Sequence, residues 1–268
     1  MTAKHKWKSI ALIGLSLLLF AITGNSIVAA PSDVGVILLH GKWDSPPTHV
    51  AYLAKALSAR GFKVATPQMP WSKSRHYDVD YPTALSEIDV AVKSLRNEGA
   101  KRIVVAGHSF GANAALAYAG SGREVDAIIA IAPGHTPDRG RFRRAVATSV
   151  EKARQMIASG KGDEAAYFDD LNQGRVKSIR TAAKNYFSYF DPEGLGAMPK
   201  SAAAIRKPTP LLWIVEDPSP LLEAGEDYVF NKAPKHSSSK YLVISSSHID
   251  APSNASSQIV EWLLSLGF

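Results

Sequence analysis

The segment Gly107-His108-Ser109-Phe110-Gly111 constrains this chain more than any other. Arg102-Ile103-Val104-Val105-Ala106 precedes it, an apolar, β-branched run suited to a buried strand. Ala112 to Ala119 follows, rich in alanine and strongly helix-favouring. A strand can pass into a helix this abruptly only if neighbouring backbone comes very close to the central residue. The two glycines permit that approach because they have no Cβ. Ser109 then stands at the C-terminal end of a strand, beside a helix N-terminus, with Oγ projecting. That is the context in which a G-x-S-x-G match predicts a nucleophilic serine. No Gly-Lys-Ser/Thr follows, so the stretch is not a phosphate-binding P-loop.

The first eight residues carry Lys4, Lys6 and Lys8 and no acid, residues 9–23 are almost wholly apolar, and Val28-Ala29-Ala30 precede Pro31. Charged, apolar and then small is the layout of a secretory signal peptide. Residues 1–30 are read as that leader, with cleavage near Ala29 or Ala30. The alternative, an uncleaved anchor, is disfavoured because a spanning helix needs about 20 apolar residues. The protein is therefore expected in the periplasm or outside the cell, with no stable membrane anchor after cleavage. Without the three leader lysines, 28 basic residues face 24 acidic ones. That mild excess gives no case for nucleic acid, and no basic run is interleaved with aromatics. The densest basic stretch, Asp138 to Arg144, reads as a solvated helix. The absence of cysteine excludes disulfides, thiolate metal sites and a cysteine nucleophile. No histidine–carboxylate set has metal spacing, so neither a metal nor another cofactor is expected.

From residue 33 onward, strands and helices alternate. Apolar runs at 33–41, 62–67, 102–106, 125–133, 210–215 and 240–244 predict six strands. Helical spacing appears at Val50 to Leu57, Leu85 to Leu95 and Ile259 to Leu266. This alternation implies right-handed crossovers and a mostly parallel six-stranded sheet with helices on both faces, an α/β fold. Residues 134–208 separate the fourth and fifth strands and must lie outside the sheet. They are expected to form a helical cap, with its best helices at 151–159, 163–171 and 176–190.

The chain resembles the α/β-hydrolase fold family over residues 33–268. Four features carry the resemblance: His40-Gly41 after the first strand, the turn at Ser109, acids after the Leu211–Val215 strand, and His248 after the last strand. The order serine, acid, histidine is the one that family uses. Two strands that commonly precede the His-Gly strand have no room here, so the sheet is expected to be shortened at its N-terminal side.

The resemblance implies a division of labour. Ser109 needs a base within hydrogen-bond reach, and His248 holds that position. His40 belongs to the His-Gly turn, and His108 should point away from the nucleophile. The acid that orients the imidazole is expected in Glu216-Asp217-Pro218-Ser219. The family's usual slot falls on Ser219, which carries no charge, so Asp217 is preferred, with Glu216 as the alternative and Asp138 and Asp250 as outsiders. Asp217 is the choice because it is short, lies two residues past Val215 and precedes a proline that restricts it to extended backbone. The oxyanion donors are expected to be the backbone N–H groups of Phe110 and Lys42, with the Lys42 side chain free to lie at the surface. Trp43, Trp71 and His135 are candidates to line the substrate pocket. The expected activity is cleavage of a small-molecule carboxylic ester through an acyl-serine intermediate. Peptidase or thioesterase activity on the same triad remains open, as does a non-catalytic binding role for a chain that lost its acid. The oligomeric state is not legible.

Overall fold

A computed structural model describes residues 1–2 and 31–268; the expected leader and its cleavage site rest on residues outside these. Six strands form one sheet: β1 (Val34–Leu39), β2 (Lys63–Ala65), β3 (Arg102–His108), β4 (Ala127–Ile131), β7 (Leu211–Asp217) and β8 (Lys240–Ser245). Their spatial order is β2-β1-β3-β4-β7-β8. Every pairing is parallel, so the sheet matches the expected six strands and is more uniform than "mostly parallel".

The strands are buried on both faces, which is why they read as continuous apolar runs rather than alternating ones. The pleat still sorts their side chains. Ile37, Leu39, Ile103, Val105, Ile128, Trp213 and Val215 face one core, together with α2 (Tyr81–Asn97) and α3 (Phe110–Gly120). Val36, Leu38, Val104, Ile129, Leu212 and Ile214 face the other, packed on α1 (Ala51–Ala59), α8 (Ala251–Asn254) and α9 (Ser256–Ser265). Helix α2 starts sharply, because Asp80 accepts a hydrogen bond from the Thr83 N–H at 2.9 Å and Pro82 sits in the first turn.

The insertion between β4 and β7 is only partly helical. It contains α4 (Gly140–Ala158), an antiparallel hairpin of β5 (Ala165–Asn172) and β6 (Arg175–Ala182), then α5 (Ala183–Phe190) and α6 (Met198–Ala203). In the expected helices 163–171 and 176–190, residues 165–171 and 176–182 are instead strand. The physical reason is period-two burial: Phe168 and Asp170 face inward, while Tyr167 and Asp169 between and beside them are more exposed. Gln173 and Gly174 both have positive φ, as a two-residue hairpin turn requires. After β7, a short helix α7 (Pro220–Ala224) begins with Ser219 as its cap. Among the described residues, no helix is long and apolar enough to cross a membrane.

Candidate active site

The turn at Ser109 is as tight as its glycines require. Ser109 has φ +56° and ψ −116°, a conformation costly for a residue with a side chain. A Cβ on Gly107 would collide with the Gly111 backbone, and one on Gly111 with the Leu39 and His40 carbonyls. The strained residue is pinned from both sides: its N–H donates to Ile131 O at 3.0 Å and its carbonyl accepts from Gly134 N–H at 3.1 Å. Trp43, Ala132 and His135, in the segments after β1 and β4, also have φ between +42° and +65°. Left-handed backbone thus gathers at the C-terminal ends of three adjacent strands, the place where parallel α/β sheets bind ligands.

His248 lies in the segment after β8. Its Nδ1–H donates to Glu216 Oε1 at 2.7 Å, and both side chains are largely buried. Its Nε2 is buried and bonded to nothing, leaving that nitrogen available as a proton acceptor. No hydrogen bond joins it to Ser109 Oγ in this structure. The link to the elbow is His108, whose Nε2–H donates to the His248 carbonyl at 2.8 Å. The two imidazoles are 4.9 Å apart. Burial, then the neighbouring His248, pushes the His108 pKa down to about 3, so its ring is neutral.

The expected acid, Asp217, is not the one brought to His248. Strand β7 runs two residues further than expected, to Asp217, and Glu216 pairs in register with Ile244 of β8. Inside a strand, successive side chains take opposite faces. Glu216 follows Leu212 and Ile214 onto the face of α8, where His248 lies, while Asp217 points the other way and is exposed. Ser219, in the usual slot, caps α7 by accepting from Leu222 N–H at 3.2 Å. The outsiders are engaged elsewhere: Asp138 accepts from Tyr228 OH, and Asp250 from Ser247.

Phe110 follows Ser109 in the chain, and Gly41, the residue before Lys42, lies against the serine: a Cβ on Gly41 would be 3.3 Å from Ser109 Cβ. Among the described residues, neither Lys42 N–H nor Phe110 N–H has a protein acceptor. The Lys42 side chain, which was free to lie at the surface, is buried, with Nζ 2.6 Å from Asp170 Oδ1. Burial pushes the Lys42 pKa down and Asp170 opposes that shift. Asp170 also accepts from Trp43 Nε1 at 2.8 Å and Tyr77 OH at 2.7 Å. Nothing in the sequence marks Asp170 beyond its place in a period-two run.

The candidate pocket residues fare differently from expectation. Trp71 is fully buried, donates from Nε1 to His40 O at 2.8 Å and packs on Phe110. His135 stacks on Phe110 with ring centroids 4.1 Å apart and donates from Nε2 to Tyr189 O. Burial holds the His135 pKa well below the usual histidine value. Both residues are packing elements that carry Phe110. Trp43 is half-buried and turned toward the cap through Asp170. His40 donates from Nδ1 to Gly41 O and accepts from Met69 N–H, as a residue of the His-Gly turn. No cluster of three or more metal-binding side chains occurs among the described residues.

A sequence profile described as the alpha/beta hydrolase family matches residues 36–252. The chain belongs to that family. No curated protein matched it in sequence. Among solved structures, one from work on LipS and LipT, two metagenome-derived lipolytic enzymes, aligns at TM-score 0.61 and 16% identity, over 88% of this chain and 93% of the other. A carboxyl esterase from Bacillus coagulans, solved with glycerol, aligns at 0.61 and 14% identity, over 87% and 90%. A thioesterase domain from the curacin biosynthetic pathway aligns at 0.52 and 19% identity, over 86% and 92%. At these identities the likeness concerns the fold.

Proposed function

We propose that this protein is an exported serine hydrolase that cleaves a carboxylic ester through an acyl-serine intermediate. The observation that carries the reading is the strained Ser109 elbow next to a histidine whose Nδ1–H is held by buried Glu216 and whose Nε2 is unengaged. His248 Nε2 takes the Ser109 hydroxyl proton as Oγ attacks the ester carbonyl. Glu216 keeps the imidazole in the Nδ1–H tautomer and supports the imidazolium that forms. The developing oxyanion is met by Phe110 N–H and Lys42 N–H, and the imidazolium returns its proton to the leaving alcohol. Water, deprotonated by His248, then releases the acid and restores Ser109. Glu216 supplies the charge whose apparent lack at Ser219 motivated a non-catalytic reading. The lipolytic, esterase and thioesterase activities named for the structural neighbours are the reason for testing oxygen esters first and thioesters second. Export rests on the three-part N-terminus, and N-terminal sequencing of the mature protein checks it; an intact Met1 on cytosolic protein would refute it.

The test of the chemistry is fluorophosphonate labelling with mapping of the modified residue, alongside p-nitrophenyl ester hydrolysis. Wild type is expected to be labelled at Ser109. Ser109→Ala is expected to lose labelling and at least ~10³-fold in turnover while keeping its fold. Labelling at a different serine, or undiminished hydrolysis by Ser109→Ala, would sink the assignment.

A further inference from the structure

Lys42 and Trp43 follow His40-Gly41 in the loop after β1; the Lys42 N–H has no protein acceptor among the described residues, and a Cβ on Gly41, the residue before it, would lie 3.3 Å from Ser109 Cβ. Three successive residues of the cap hairpin grip these two. Asp170 takes Lys42 Nζ on Oδ1 and Trp43 Nε1 on Oδ2. The Leu171 carbonyl accepts a second bond from Lys42 Nζ at 3.1 Å. Asn172 Nδ2 donates to the Lys42 carbonyl at 3.2 Å. Tyr77 OH completes the set on Asp170 Oδ2, fixing the carboxylate's plane.

This arrangement is hard to explain by stability alone. Lys42 and Asp170 have almost no exposed side-chain surface. Desolvating two charges costs about as much as their attraction returns, and an apolar pair of similar volume often does as well or better. What a buried, multiply bonded pair supplies is one defined geometry. The geometry it defines belongs to the loop carrying a donor. The second donor residue, Phe110, has its ring 5.6 Å from the same Lys42 Nζ and is stacked by His135. Both donor residues are therefore anchored in one cluster closed by the cap.

We propose that Asp170 is a positioning residue for the oxyanion hole: the cap hairpin, through Asp170 and Asn172, holds Lys42 N–H in line with Phe110 N–H. The inference rests on the acyl-serine reading above. It makes the insertion part of the machinery beside Ser109 rather than a cover over it. Loss of a complete oxyanion donor typically costs about 10²–10³ in turnover, and displacing one costs less.

The experiment compares Asp170→Asn, Lys42→Met/Asp170→Asn and Asn172→Ala with wild type. It measures kcat, KM, and the affinity of an arylboronic acid, which forms a tetrahedral adduct on serine with an oxygen in the hole. Melting curves report folding. Asp170→Asn is expected to lose about 10–100-fold in kcat, with KM within threefold and boronate affinity falling in parallel. The double variant leaves no unpaired buried charge, so it tests the same point if the single variant does not fold. Asn172→Ala removes one bond from a partly exposed side chain and leaves both charges in place. A roughly three- to tenfold loss is expected in both kcat and boronate affinity. Folded variants with wild-type kcat and boronate affinity, Asn172→Ala included, would overturn the proposal, as would losses confined to melting temperature. A wild-type protein that resists fluorophosphonate and hydrolyses no ester would instead overturn the acyl-serine reading.

Discussion

Two carboxylates each hold a nitrogen-bearing side chain, and the two contacts differ in every respect except length. Glu216 meets His248 at 2.7 Å, and Asp170 meets Lys42 at 2.6 Å. The first joins the ends of adjacent strands β7 and β8, 32 residues apart, through a side chain that cycles between neutral and charged in the proposed reaction. The second joins β1's loop to the cap across 128 residues, between groups with 2% and 0% of their side-chain surface exposed. In the proposed reaction protons move at the first contact, and the second is proposed to hold geometry. Breaking the first should therefore appear in turnover with little change in stability, and breaking the second should appear in both.

The sharpest break comes from Glu216→Gln. In a serine protease, replacing the triad aspartate by asparagine leaves the histidine in the wrong tautomer and lowers turnover by about 10⁴. A loss of about 10²–10⁴ is expected here, with the melting temperature nearly unchanged. Asp217→Asn, exposed on the opposite face of the same strand, should stay within about twofold. Parallel kcat measurements on one ester decide it; a crippled Asp217→Asn beside an active Glu216→Gln would reverse the assignment.

The second contact is broken by Asp170→Leu, which strands a buried ammonium. Breaking one side of a buried pair costs about 3–5 kcal/mol. Lys42→Met/Asp170→Leu should recover most of that stability without recovering turnover. Urea unfolding of the single and double variants measures the first half, and kcat the second. Full recovery of both would reduce the contact to a packing detail.

Gly134 tests the ground between the two. A Cβ there would lie 2.9 Å from Ser109 Oγ, too close for an undisturbed hydroxyl. Gly134→Ala is expected to lower kcat by about tenfold or more through displacement of the nucleophile, since a small misplacement costs heavily in rate. An unchanged kcat would mean that Oγ rotates freely away from Gly134 during turnover.

The smallest effect concerns pH. His108 is held neutral, with its pKa near 3 in the folded protein against an ordinary value of 6.5. Below about 6.5 the unfolded chain binds a proton that the folded one refuses, so His108 lowers stability as pH falls toward about 3 and has no effect above that window. Burial pushes His40 and His135 the same way. One such group contributes up to about 1.4 kcal/mol per pH unit. His108→Gln keeps a donor for the His248 carbonyl while removing the titration. It should flatten the acid side of the unfolding free energy between about pH 6 and 4 by one proton. An unaltered slope would show that His108 is protonated in the fold after all.

The residues themselves determined a good deal. Buried parallel strands must be apolar on both faces, so six of them stood out as runs, and their alternation with helices implied the sheet. Ser109 was legible because its glycines answer a local steric demand, and His248 because it follows the last strand. Glu216 and Asp217 were not separable, since one residue of strand length decides which of them faces α8, and strand ends are set by pairing with β8. The hairpin of the cap was marked by Gln173-Gly174 and by alternation in 165–172, signals weaker than the helical spacing they competed with. Asp170 had no mark beyond its place in that alternation. Its contacts exist only because the fold carries the cap back over residues 42 and 43, and a contact across 128 positions leaves no period, spacing or composition behind in the chain. Local rules of sterics and periodicity act on neighbours in sequence, whereas burial and pairing act on neighbours in space, and that difference divides what could be read here from what had to be folded first.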